Sequence, residues 1–144
     1  MSWVVDASVA VKWYVREELH EEARQLLDGN TPLLAPDWIV QEVAHAAFRK
    51  WRDNEIPEQQ ARAMIALVPA IFAELHRSIS LISRASNISF ALRHPVYDCL
   101  YLACAETMDA PVITADRRFY RAAIDGGFAR HIALLRSRRH EPPS

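Results

Sequence analysis

Glycine is scarce in this chain. Three stand among 144 residues, at positions 29, 126 and 127. None follows the first apolar segment, "VVDASVAVKW", so the glycine-rich first turn of a dinucleotide-binding module is missing. No lysine follows Lys50, which leaves a receiver-type phosphorylatable aspartate without its lysine partner. Ser8 stands where a haloacid-dehalogenase-like phosphatase carries its second aspartate, two residues after Asp6. No run approaches the ~20 apolar residues needed to span a bilayer, and "MSWVVDAS" has neither a basic start nor a signal-length apolar run. The expectation is therefore a cytoplasmic protein with no membrane partner.

Metal-binding sulfur and nitrogen are equally thin. Cys99 and Cys104 lie five apart on one predicted helix, point in different directions and cannot bridge each other. The six histidines (20, 45, 76, 94, 131 and 140) show no paired ligand spacing, which argues against zinc.

What the chain does have is apolar mass and an uneven distribution of charge. About half the residues are hydrophobic and a quarter charged, as in a soluble globular domain, and the length suits one domain over 1–144. Residues 1–116 carry 16 Asp and Glu against 10 Lys and Arg, a balance of −6. Residues 117–144 carry seven arginines against Asp125 and Glu141, a balance of +5. Such a segment either attracts an anionic partner or serves as a solubilising surface with a flexible basic tail from about 136 to 144.

Short apolar strands alternate with helical stretches. "SWVVD", "PLLAP", "PVIT" and "HIALL" read as strands, and "HRSIS" as a weak one. A helix is expected from Ser8, continuing through "REELHEEARQLLDGN" to Gly29. Asp37 is the expected N-cap of "WIVQEVAHAAFRKWRDN". Another helix opens near Pro57 and runs toward Leu75, with a kink at Pro69. "ISRASNISFALRH" is amphipathic, with Ile82, Ala85, Ile88, Ala91 and Leu92 on one stripe. The helix after Pro95 is apolar almost all round, and a last helix begins near Asp116. The alternation implies an α/β/α arrangement of three layers around a parallel sheet of four to five strands.

In such sheets, sites form outside the carboxyl ends of the strands. Asp6 ends the first strand and Asp116 follows "PVIT", each with a hydroxyl two residues away, at Ser8 and Thr114. Either aspartate also reads as an ordinary N-cap. Asp98 interrupts the apolar helix and is either a partner of the helix dipole or the ligand of something buried. Glu42 breaks the apolar face of its helix, unless it lies at the boundary and reaches outward. Four ionised carboxylates cannot converge without a cation, since two unit charges ~4 Å apart repel by about 4 kcal/mol at an effective dielectric of 20. Oxygen-only donors select a hard ion, magnesium or manganese. Such an ion suits phosphodiester hydrolysis, where it activates water and offsets phosphate charge. Arg117, Arg118 and Arg121 follow Asp116 and are expected near a phosphate backbone.

"VVDASVAVKW", "EVAHAAFRK", "VYDCLYLACAE" and "VITADRRF" together resemble the four acidic signatures of PIN domains. The resemblance runs from Trp3 to about Leu135 and is strongest to the VapC-like toxin ribonucleases of toxin–antitoxin modules. It implies a Mg2+- or Mn2+-dependent endoribonuclease acting on RNA, a homodimer, and a VapB-like antitoxin partner. It assigns Asp6, Glu42, Asp98 and Asp116 to the acidic quartet, both catalytic and metal-binding, with Ser8 and Thr114 as supporting hydroxyls. The other class in view is an inactive PIN-like scaffold or RNA-binding interaction protein, which the presence of all four acids disfavours.

Overall fold

A computed structural model describes residues 1–137, so Arg138, Arg139 and most of the expected basic tail lie outside the described residues. Five parallel strands form one sheet in the order β3-β2-β1-β4-β5, where β1 is Trp3–Val5, β2 Leu33–Pro36, β3 Glu74–His76, β4 Val112–Thr114 and β5 Ile132–Leu134. The sheet is flanked by helices, as the alternating pattern requires. Strands β1, β2 and β4 are apolar and almost wholly buried, because helices cover a parallel sheet on both faces.

The chain winds outward from β1 through β2 to β3, then returns to place β4 on the other side of β1. Val4 pairs with Leu34 on one flank and with Val112 on the other. The winding direction thus reverses between β1 and β4, and a crevice opens beyond their carboxyl ends. Asp6 and Asp116 stand there.

Among the described residues seven α-helices accompany the sheet: α1 (Ala7–Ala10), α2 (His20–Asp28), α3 (Ile39–Arg52), α4 (Glu58–Leu67), α5 (Ser78–Leu92), α6 (Val96–Met108) and α7 (Arg117–Asp125). Helix α6 is the spine. Its residues Cys99 to Ala105 are all buried, and it packs against α5 and against β1, β2 and β4. Tyr101 and Phe119 are the largest fully buried side chains, each contributing about 1.5–3 kcal/mol of apolar burial.

Four local expectations are corrected. The first helix does not continue to Gly29: after α1 a 3-10 turn ends at Trp13, and the chain restarts as α2 only after Leu19, which takes the left-handed φ of 66°. Asp37 does not cap α3; its carboxylate accepts from the backbone N–H and hydroxyl of Ser78, so it caps α5 across the structure. Helix α4 ends at Leu67 rather than bending on toward Leu75, because Pro69 lacks the amide to continue it, and β3 takes only His76 of "HRSIS", whose Ser78 already opens α5. The stripe on α5 holds at Ala85, Ile88 and Leu92, but Leu81 is buried in place of Ile82, and Ala91 is exposed.

Candidate active site

Asp6 occupies the N-cap position of α1 in extended conformation, yet its side chain makes no capping bond. Its Oδ2 accepts instead from the hydroxyls of Thr114 (2.6 Å) and Ser8 (2.9 Å). Those hydroxyls are fixed in turn by the peptide that leaves β4: the Ala115 N–H donates to Ser8 Oγ and the Asp116 N–H to Thr114 Oγ1. The hydroxyl positions expected at Ser8 and Thr114 therefore tie the end of β1 to the end of β4, and the reading of Asp6 as a simple cap does not hold.

Asp116 does cap. Its Oδ1 accepts from the backbone N–H groups of Arg118 and Phe119 at the start of α7. It also lines the same cavity as Asp6, so capping α7 does not remove it from the crevice. Asp98 stands in the first turn of α6, where the dipole favours it, and its Oδ2 meets His94 Nε2 at 2.6 Å. Glu42 faces inward from α3, and its Oε1 accepts from the Tyr101 hydroxyl at 2.7 Å.

These four acids line one cavity of ≈ 450 Å3 at the switch point of the sheet. Burial, reinforced by the charges of Asp98 and Asp116, raises the Asp6 carboxyl from 3.8 to about 6. Burial, with Asp6 and Asp98 nearby, raises Glu42 from 4.5 to about 7. Asp98 is raised as well, mainly by burial. Asp6, Glu42 and Asp98 therefore resist ionisation in the absence of a counter-charge.

Among the described residues no three carboxylate, imidazole or thiol groups stand close enough to hold an ion as placed. The donor chemistry nevertheless fits a hard dication. Asp6 Oδ1, Glu42 Oε2, Asp98 Oδ1 and Asp116 Oδ2 accept no hydrogen bond among the described residues, and a cation would relieve the repulsion that lifts Asp6 and Glu42.

The cations that share this cavity are Lys12, Arg49 and Lys50, with His45. Arg117, Arg118 and Arg121 are exposed on α7; Arg117 and Arg121 line a different, smaller cavity with Tyr120, Ile124 and Leu134. Sequence reasoning missed His94 and Tyr101. Tyr101 stands on α6 three residues after Asp98, and His94 just before α6, four residues ahead of Asp98, and that spacing was the available signal. The two thiols are remote from this chemistry: burial pushes Cys99 up to about 11 and Cys104 up to about 12.

A parallel sheet with this strand order, and acids from β1, α3, α6 and the β4–α7 turn around one crevice, defines a class, and the comparisons agree on which. The PIN domain model matches residues 3–125, a span that includes all four acids. The chain belongs to the PIN-domain family. Within that family it is similar to Ribonuclease VapC3 of Pyrobaculum aerophilum, 31% identical over 122 residues, covering 82% of this chain and 92% of that protein. It is also similar to Ribonuclease VapC1 of Mycobacterium tuberculosis, 36% identical over 90 residues, a match that spans 61% of this chain and 65% of the relative. The crystal structure of PAE2754 from Pyrobaculum aerophilum superposes with a TM-score of 0.69 at 16% identity, covering 94% of this chain and 84% of that one, and so supports the fold alone. Among the described residues no helix is long and apolar enough to cross a membrane.

Proposed function

We propose that this chain is a Mg2+- or Mn2+-dependent endoribonuclease and the toxin of a toxin–antitoxin module, a cytoplasmic homodimer held in check by a VapB-like antitoxin. The observation that carries the reading is the gathering of Asp6, Glu42, Asp98 and Asp116 around one cavity, with Asp6 and Glu42 raised to about 6 and 7, in a chain similar to two proteins named Ribonuclease VapC.

The four carboxylates would hold the ion. When bound, it supplies an activated water and offsets charge on the phosphate that is attacked. The chain's own residues do the rest. Ser8 and Thr114 fix one oxygen of Asp6 and leave the other for the site. Tyr101 donates to Glu42 and so holds that carboxylate at the cavity wall. His94 turns Asp98 by its second oxygen. Asp116 is anchored by two backbone amides and sits where α7 begins.

Sequencing of RNA ends after brief expression in cells tests the reading, with Asp6→Asn as the reference. New ends that need both Asp6 and an added divalent ion in vitro support the enzyme. A protein that binds RNA but generates the same ends with and without Asp6 is the scaffold of the alternative reading.

A further inference from the structure

Lys12, Arg49 and Lys50 line the same cavity as the acids, and the two lysines are not placed as ordinary surface residues are. The side chains of Lys12 and Lys50 are only 12% and 18% exposed. Lysine is rarely drawn in this far unless it is paired. Here the partner is Glu17, whose Oε1 takes Lys12 at 3.3 Å and whose Oε2 takes Lys50 at 2.8 Å. Lys50 has a second, looser partner in Glu55 at 3.9 Å. Arg49 is exposed, and among the described residues its guanidinium makes no hydrogen bond or ion pair, although it lies within electrostatic range of Asp53.

Four carboxylates and three cations thus share one cavity without joining. Among the described residues none of Lys12, Arg49 and Lys50 pairs with Asp6, Glu42, Asp98 or Asp116. A free lysine in such a cavity would close on the acids, because unit charges a few ångströms apart attract by several kcal/mol at the dielectric of a protein surface. Glu17 prevents this by holding both ammonium groups on its own carboxylate. The helix spacing shows the same separation. Glu42, His45, Ala46, Arg49 and Lys50 all line the cavity and follow one face of α3, so the wall changes from acid to base over seven residues, about 10 Å of helix.

We propose that Lys12, Arg49 and Lys50 form a binding wall for the phosphate of single-stranded RNA adjacent to the one cleaved, and that Glu17 is a positioning residue that keeps the two lysines off the acids. The proposal rests on the nuclease reading above. An anionic strand lying between the walls would place one phosphate at the acids with their ion and the next against the cations. It moves the expected RNA contact from Arg117, Arg118 and Arg121 on α7 to α3 and the 3-10 turn that follows α1.

The test is fluorescence anisotropy with a short labelled single-stranded RNA, in magnesium, with every protein also carrying Asp98→Asn so that the RNA stays whole. Affinity is measured across salt concentrations. Arg49→Gln, which leaves the Glu17 pairs alone, is expected to weaken binding several-fold and to reduce the salt slope by about 0.7. Lys12→Gln with Lys50→Gln is expected to reduce it by about twice that. Arg62→Gln with Arg84→Gln, both remote from the cavity, is the charge-matched control and is expected to change neither. Glu17→Gln is expected to tighten RNA binding in this background while slowing cleavage when Asp98 is restored. Binding and slope unchanged in Arg49→Gln and in the lysine pair overturn this proposal alone. Protein that neither binds the RNA nor cleaves it with Asp98 restored overturns the nuclease reading and this proposal with it.

Discussion

The Tyr101 hydroxyl donates to Glu42 Oε1 across 2.7 Å, so one buried phenol joins α6 to α3. Burial and the neighbouring Asp6 and Glu42 charges raise Tyr101 well above its ordinary value, which keeps it protonated and a donor. Tyr101→Phe keeps the ring and deletes this link. Glu42 Oε1 is left without its donor, at a cost of about 1–3 kcal/mol in stability. Glu42 is freed to swing, and single-turnover cleavage is expected to fall roughly ten- to hundredfold. A variant that melts lower but cleaves at the wild-type rate would show that the phenol serves the fold and not Glu42.

The raised carboxyls fix the sign of a pH effect. Asp6 and Glu42 hold their protons more tightly folded than unfolded, at about 6 against 3.8 and about 7 against 4.5. The folded chain therefore carries more bound protons between those values, and the contribution of these groups to stability is lost as pH rises through them. For Asp6 alone the loss is roughly 3 kcal/mol. In EDTA the melting temperature is expected to be higher at about pH 5 than at about pH 8, by several degrees. Millimolar magnesium or manganese is expected to restore it at the higher pH. Asp6→Asn should flatten the slope, and Asp98→Asn should weaken the stabilisation by metal. A metal-free melting temperature that rises steadily from about pH 5 to about pH 8 would separate these acids from one another.

Why the acids were legible and their partners were not follows from the elements themselves. Asp6 and Asp116 end strands whose apolar runs bound them sharply, so the topology delivers both to the same edge. Asp98 and Glu42 each break a face that should be apolar. His94 and Tyr101 break nothing: one sits before a proline, the other is an aromatic in an apolar helix, and only the fold shows what their polar atoms meet. The charge of α7 suggested an RNA contact from sequence adjacency, but adjacency to Asp116 does not determine which way an exposed helix face points. Lys12, Glu17 and Lys50 come from three separate segments, and their meeting is a tertiary fact. The misplaced cap at Asp37 has the same origin, since a carboxylate at a helix start can serve a neighbouring helix instead.

The two thiols are expected to be inert. With Cys99 at about 11 and Cys104 at about 12, roughly one molecule in ten thousand or fewer carries a thiolate at neutral pH, and both side chains are buried. Mass spectrometry after maleimide treatment is expected to find no adduct on native protein and two on denatured protein. Rapid native labelling of Cys99, beside Asp98, with loss of cleavage would reveal an opening of α6 that the packed helix does not suggest.

Assembly can be tested on the surface that remains. Of the aromatics on the early helices, Trp13 is in the core and Trp38 is stacked on Tyr97, while Phe48 and Trp51 stay exposed. Helix α5 adds Ile79 at 72% and Phe90 at 83% exposure, eleven residues apart and so on one face. If a second copy covers that face, Phe90→Asp is expected to convert a dimer to a monomer in sedimentation at tens of micromolar, with folding unchanged. A wild-type monomer at that concentration, harmless on expression, would remove both the homodimer and the toxin reading.

The decisive measurement pairs stability without metal against cleavage with it. Asp98 is raised by burial, so an amide at this position removes a disfavoured charge and can still face His94 as donor or acceptor. Asp98→Asn is therefore expected to melt at or above wild type in EDTA and to cleave nothing. Asp116 separates its two duties differently. Asparagine caps a helix about as well as aspartate, so Asp116→Asn should keep the bonds to Arg118 and Phe119 while losing cleavage. Asp116→Ala should lose cleavage and also about 0.5–2 kcal/mol of stability. Glu42→Gln and Asp6→Asn complete the set, each inactive without loss of fold. Should Asp98→Asn melt lower than wild type and still cut RNA, Asp98 is a partner of the α6 dipole and of His94, and the site must be rebuilt from the three acids that remain.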